Sequence, residues 1–201
     1  EFMYLLTETV SPFALERWAA FFANFGQFAK GFLYTLGISI GALIVALLLG
    51  LIFGAMSSTH NKVLRGISRV YVEIFQNTPL LVQFVVVFYG ISILTDGHVM
   101  IPISLTAILC VGLYTGAYIS EIIRTGIEAV PKGQTEAALS QGFTYADTMR
   151  LIILPQAVRT ILPPLTNQVV NLIKNTSTVA IISGADIMFT AKAWAYDTTN
   201  Y

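Results

Sequence analysis

Three stretches of the chain are written almost without charge. Phe32 to Met56 runs 25 residues with no Lys, Arg, Asp, Glu or His, Ile74 to Thr95 runs 22, and Ile101 to Ser120 runs 20. At about 1.5 Å of rise per residue, roughly 20 residues cross a hydrocarbon core about 30 Å thick. One such run fits a buried core helix, but three in succession predict a polytopic helical membrane protein. A fourth segment, about 148 to 173, has the length of a span but carries Pro155, Arg159, Pro163 and Pro164, with Asn167, Gln168 and Asn171 following. A charge at the centre of a lipid-exposed helix costs at least ~2.5 kcal/mol, and prolines free carbonyls that something else must satisfy. The pattern therefore puts this helix inside a bundle beside a polar cavity, unless Arg159 snorkels or is paired.

The flanks refine the layout. Residues 1–25 read as an N-terminal interfacial segment, because Phe13, Trp18, Phe21, Phe22 and Phe25 are set among polar residues after a Ser11-Pro12 helix start. Glu1-Phe2, ahead of Met3, read as residues added before the natural start, and the acidic opening (Glu1, Glu8) is unlike a secretory signal. The connection 57–69 holds Lys62, Arg65 and Arg69 without an acid, and the segment 121–150 holds Arg124, Lys132 and Arg150. The turn around Asp96 to Val99 has no Lys or Arg. Positive loops stay cytoplasmic, so the N-terminus is expected outside. Small residues repeat at four-residue spacing (Gly37/Gly41, Gly50/Gly54, Gly112/Gly116/Ser120), which lets helices approach closely. After Lys174 the chain turns polar, then briefly apolar (Val179 to Ile182), and closes on a polar tail. Four spans would leave that tail outside, so a further span of about 20 apolar residues is expected beyond Tyr201.

Composition agrees with the pattern: 55% of residues are hydrophobic and 11% charged, against roughly 25% charged in soluble domains. A net charge of zero gives no electrostatic case for nucleic acid. The single Cys110 excludes an intrachain disulfide, and His60 and His98 stand in separate loops without companion ligands, so no metal site is expected. No nucleophile–base pair or acidic dyad suggests an enzyme, and no catalytic residue is assigned.

The segment about 128–155 carries the chemistry. Pro131 suits a helix start and Glu136-Ala137-Ala138-Leu139 favours helix. Gly142 sits where a helix end wants a left-handed residue, and Thr144-x-x-Asp147 forms a capping box variant for the next helix. A helix this short is unstable alone and should dock on something.

Glu136-Ala137-Ala138, three residues, Gly142, nine residues, then Ile152-x-Leu154-Pro155 resembles the EAA signature of binding-protein-dependent ABC importer permeases. YVEIFQNTPLLVQ (71–83), AYISEIIRTGIEAVPKGQ (117–134), LPQAVRTILPPL (154–165) and NLIKNTSTVAI (171–181) are similar to the polar amino acid subfamily of histidine, arginine and glutamine permeases. Gln76 and Asn175 depart from it, standing where Arg and Asp are expected.

The resemblance implies an all-α type I ABC importer transmembrane domain over 26–201, with about five transmembrane helices in a bacterial cytoplasmic membrane. It implies import of a polar amino acid of the arginine, histidine, lysine, glutamine or glutamate class. It also implies a coupling helix, formed around Lys132, Gly133, Glu136, Ala137, Ala138, Gly142 and Pro155, that docks on a cytoplasmic ATPase. The implied partners are two ABC ATPase subunits, which carry ATP and Mg, a second permease copy or a paralogue, and an extracellular substrate-binding protein or fused domain. This chain has no G-x-x-x-x-G-K-[ST] to hold nucleotide. Asn77, Thr78, Gln83, Glu121, Asn167, Asn171 and Lys174 are polar positions at membrane depth, either facing the substrate path or bonding between helices. A secondary transporter or channel without an ATPase is the alternative, but nothing in it would require the EAA spacing.

Overall fold

The computed structural model describes residues 15–198, and its regular elements in that range are all helical. Ser11-Pro12, Phe13, Glu1-Phe2 and Tyr201 lie outside the described residues. The helices are α1 (Leu15–Ala23), α2 (Phe25–Ser57), α3 (Lys62–Asn77), α4 (Leu80–Leu94), α5 (Ile103–Glu128), α6 (Lys132–Ser140), α7 (Tyr145–Thr148), α8 (Leu154–Asn175) and α9 (Ile187–Thr198). A π turn (Met149–Ile153) joins α7 to α8, and a 3-10 turn (Thr176–Ile182) follows α8. Among these, α2 and α5 are each long and apolar enough to cross a membrane, and α3 with α4 makes a third, bent crossing.

The spine of the bundle is the parallel pair α2 and α5. Ala42, Ala46, Gly50 and Gly54 repeat at four-residue spacing and are buried against α5. A Cβ on Gly50 would come within 2.4 Å of Ile119 Cγ2, and one on Gly112 within 2.8 Å of Val45 Cγ1. Glycine is what brings the two backbones together here. Gly37 is the exception among the small-residue positions, since it faces open space.

The apolar run Ile74 to Thr95 is not one helix. It starts in the last turn of α3 and breaks at Thr78-Pro79, where the two axes meet at 98°. Pro79 lacks an N–H and drives the preceding residue out of the helical region, and Thr78 accordingly has φ −100° and ψ 123°. The carbonyls freed at the break are met by one side chain: Gln83 Nε2 donates to Phe75 O at 3.1 Å and to Thr78 O at 3.0 Å.

The connection 57–69 is also shorter than expected, because Asn61 caps α3 by accepting from the N–H groups of Val63 and Leu64. The helix divides into three sectors. Ser68 and Tyr71 are buried, with Ser68 Oγ donating to Phe53 O (2.7 Å) and Tyr71 Oη to Leu113 O (2.8 Å). Val63, Ile67, Val70 and Ile74 form an exposed apolar row, and Lys62, Arg65 and Arg69 an exposed basic one.

The segment read as a fourth span is one continuous helix through Pro163 and Pro164, but it is not among the described helices apolar enough to cross a membrane by composition. The π turn over Met149–Ile153 sits just ahead of Pro155, while Pro163 and Pro164 lie inside α8. This helix is not enclosed within the single chain. Ala157, Ile161, Leu165 and Leu172 pack inward, and Ile161 lies over Gly126 of α5. At the far end of the bundle, buried Asp186 caps α9 by accepting from Met188 N (3.3 Å) and Phe189 N (3.1 Å), and Ile187 N donates to Thr35 Oγ1 of α2.

Candidate functional site

Helix α6 is held by one side and stopped by one residue. Ala138 is 3% exposed, whereas Lys132, Gly133, Glu136 and Ala137 are exposed. Gly142 has φ +87°, a left-handed value that favours glycine. The bonds around it close the helix in a Schellman pattern: Phe143 N donates to Ala138 O (3.2 Å) and Gly142 N to Leu139 O (3.0 Å). Thr144 then starts α7. Its Oγ1 accepts from Asp147 N at 3.2 Å and donates to Asp147 Oδ2 at 2.6 Å. Pro155 lies exposed in the first turn of α8, beyond the π turn. The helix, glycine turn and capped restart read from the sequence therefore exist as a compact, outward-facing unit.

A contact that sequence reasoning missed ties this unit to the connection between α2 and α3. His60, in the short α2–α3 connection, packs edge-on against Tyr145 with ring centroids 5.3 Å apart and planes at 75°. Beneath it lies a cleft of about 690 Å³ bordered by Glu128, Lys132, Glu136 and Tyr145. A neighbouring cleft of about 940 Å³ runs between α3 and α5. Its walls are charged: Arg69 pairs with Glu73 (3.6 Å), and Arg124 bridges Glu121 and Glu128, with Nε 2.9 Å from Glu121 Oε2. The missed signal was local. Asn61 before a helical repeat marks a helix start, and that start brings Lys62, Arg65 and Arg69 onto one side of α3.

The seven polar positions at membrane depth fall into three places. Asn167, Asn171 and Lys174 share one exposed stripe of α8 with Gln156 and Arg159, opposite the packed stripe. Asn77, Thr78 and Gln83 cluster at the break; Asn77 is exposed and Gln83 only 8% exposed. Thr78 and Gln83 border a nearly apolar pocket of about 200 Å³ beside Cys110. Glu121 lies in the charged cleft, already paired with Arg124. Of the clefts and pocket described above, each borders at most one of the three groups. Of the two departures, Gln76 donates to Ala117 O at 3.3 Å and borders the charged cleft. Among the described residues no cluster of His, Cys, Asp and Glu could hold a metal ion.

Comparison with known proteins agrees with this geometry. Residues 46–201 match the family described as binding-protein-dependent transport system inner membrane component. The chain is 41% identical over 173 residues to the "Probable glutamine ABC transporter permease protein GlnM" of Bacillus subtilis, covering 85% of this chain and 77% of that protein. It is 35% identical over 187 residues to the "Glutamate/aspartate import permease protein GltJ" of Escherichia coli, covering 84% and 76%. A solved structure, "Crystal structure of an amino acid ABC transporter with histidines", superposes with a TM-score of 0.83 at 32% identity, covering 90% of this chain and 83% of that one. The family match, these relatives and the shared all-helical type I transmembrane fold show that this chain belongs to the binding-protein-dependent transport system inner membrane components and is an ABC importer permease.

Proposed function

We propose that this chain is the translocation subunit through which a polar amino acid enters the cytoplasm, driven by ATP hydrolysis on a separate subunit. The observation that carries this reading is α6: nine residues, too few for a stable isolated helix, fixed to the bundle by Ala138 and stopped at Gly142. Its outward residues, Lys132, Gly133, Glu136 and Ala137, are the surface an ATPase subunit would grip. Nucleotide closure would shift α6, and the π turn Met149–Ile153 is the joint by which the shift would enter α8. The basic segments around α3 and α6 support a cytoplasmic location for that end, with the N-terminus outside. The glutamine and glutamate/aspartate permeases among its relatives support a polar amino acid as cargo.

A second permease subunit completes the path. The stripe Gln156, Arg159, Asn167, Asn171 and Lys174 is exposed in the single chain, and such a surface is too costly to leave against lipid. Two copies related by a twofold axis would turn these stripes toward a shared aqueous route. Co-purification with the ATPase and weighing of the intact complex test the architecture, with two permeases and two ATPases expected. Proteoliposomes test the transport: uptake should require both ATP and the binding protein. Amino acid flux that continues without ATPase would instead support a secondary transporter.

A further inference from the structure

Helix α3 carries two exposed rows of opposite character. Val63, Ile67, Val70 and Ile74 recur at helical spacing, and each is at least half exposed. Lys62, Arg65 and Arg69 form the basic row, along the cleft between α3 and α5. From Ser57 to Val72 the chain holds no Asp or Glu. The three acids that border the cleft are already held, Glu73 by Arg69, and Glu121 and Glu128 by Arg124. Lys62 and Arg65 take part in no ion pair among the described residues, and Arg65 Nη2 donates to Thr59 O at 2.9 Å. At about 100° of turn per residue, Gly66 falls between the two rows, and open space lies where its Cβ would be.

We infer that this surface of α3 seats an anionic phospholipid of the cytoplasmic leaflet, with its phosphate against Lys62, Arg65 and Arg69 and its acyl chains across Val63, Ile67, Val70 and Ile74. The inference rests on the proposed function, in which this end of the bundle faces the cytoplasm. Topology alone calls for cations in the connection after α2, but it does not call for an apolar row on the same helix. Cations beside an apolar face mark a helix at the boundary between headgroups and acyl chains. The cytoplasmic leaflet carries negative surface charge, so the basic row has its complement there. Gly66 puts no side chain between the rows, and one lipid can reach both. Glu73 ends the basic row, which places the headgroup along the first two turns of α3, about 10 Å from Lys62 to Arg69.

The test titrates the detergent-solubilised complex of permease and ATPase with fluorescent phosphatidylglycerol or phosphatidylcholine at low salt. Each cation beside an anionic lipid is worth about fivefold in affinity. Phosphatidylglycerol therefore binds roughly a hundredfold more tightly than phosphatidylcholine, and the preference shrinks as salt rises. Lys62→Gln combined with Arg65→Gln lowers phosphatidylglycerol affinity roughly twenty-five-fold and leaves phosphatidylcholine unchanged, while Lys62→Arg combined with Arg65→Lys keeps the preference. Equal affinity for the two lipids, as when a second permease copy covers the row, overturns the inference. So does a glutamine double variant within threefold of wild type, or displacement of the bound lipid by millimolar inorganic phosphate. ATP-dependent amino acid uptake, measured separately in proteoliposomes with the binding protein, keeps the transport function standing in each of those cases, and its absence overturns the function itself. Lys62→Gln alone is the second variant should the double variant fail to assemble, with a fivefold loss expected.

Discussion

Gln83 reaches back across a broken helix to hold the carbonyl of Thr78, at 3.0 Å, with the same nitrogen that holds Phe75 O. One amide thus closes the end of α3 from the first turns of α4. Its Oε1 is buried with no partner, so Gln83→Met would remove an orphaned acceptor as well as two donated bonds. The net loss should be about 1 kcal/mol, near the worth of one hydrogen bond. Thermal unfolding of the purified complex measures it, and a melting temperature equal to wild type would show that the break holds itself.

Gly142→Val should leave the bundle folded while impairing coupling. A β-branched residue in the left-handed region costs about 1–2 kcal/mol, and at φ +87° the turn would open rather than bear it. Gly133 has open space where a Cβ would go, so Gly133→Ala is the control. The readout is substrate carried per ATP hydrolysed. Equal ratios for Gly142→Val and Gly133→Ala would remove the turn from the coupling mechanism.

His60 and Tyr145 should matter as an aromatic pair. Such contacts contribute about 0.5–1.5 kcal/mol, so Tyr145→Ala should weaken the link from the coupling segment to α3, and Tyr145→Phe should preserve it. Binding-protein-stimulated ATPase activity is the sensitive measurement. If Ala and Phe variants are stimulated alike, the ring contact is incidental.

Asp186 supplies a pH dependence. Burial raises its pKa above the ordinary carboxylate value, with the N–H groups of Phe189 and Met188 and the charge of Lys192 pulling the other way. The folded state therefore binds this proton more tightly than the unfolded chain. This group's contribution to stability is full below the ordinary value and is lost as pH rises toward the raised one. Asp186→Asn keeps an acceptor for α9 and cannot ionise, so its melting temperature should be less sensitive to pH through that window. Asp186→Ala loses the cap and should be destabilised by about 1 kcal/mol. A wild type and Asn variant with parallel pH curves would contradict the assignment.

The helix, glycine turn and capped restart over 132–147 were legible because their signals are local. Gly142, Thr144 and Asp147 act within a few residues of one another, and each forms the bonds its chemistry favours. The close approach of α2 and α5 was likewise written in glycine spacing. The break in the apolar run was hidden because hydropathy counts Pro79 as one weakly polar residue among many apolar ones, although its geometry overrules its polarity. The surroundings of the path candidates could not be read at all. Whether Glu121 is free or held by Arg124 depends on rotamers one turn apart on the same helix, and the cleft before it depends on where α3 lies.

The glycine-lined seam between α2 and α5 has a mechanical corollary. Two spans locked backbone to backbone have no side-chain cushion through which to slide, so they behave as a single mast. Under the proposed coupling, motion delivered at α6 would be taken up away from it, at the π turn Met149–Ile153, the elbow at Thr78-Pro79 and the π turn Val86–Gly90 within α4. All three lie outside the mast, in the helices that bear most of the polar residues at membrane depth. The chain thus separates the helices that keep their shape from those that can change it, and the amino acid route would run beside the latter.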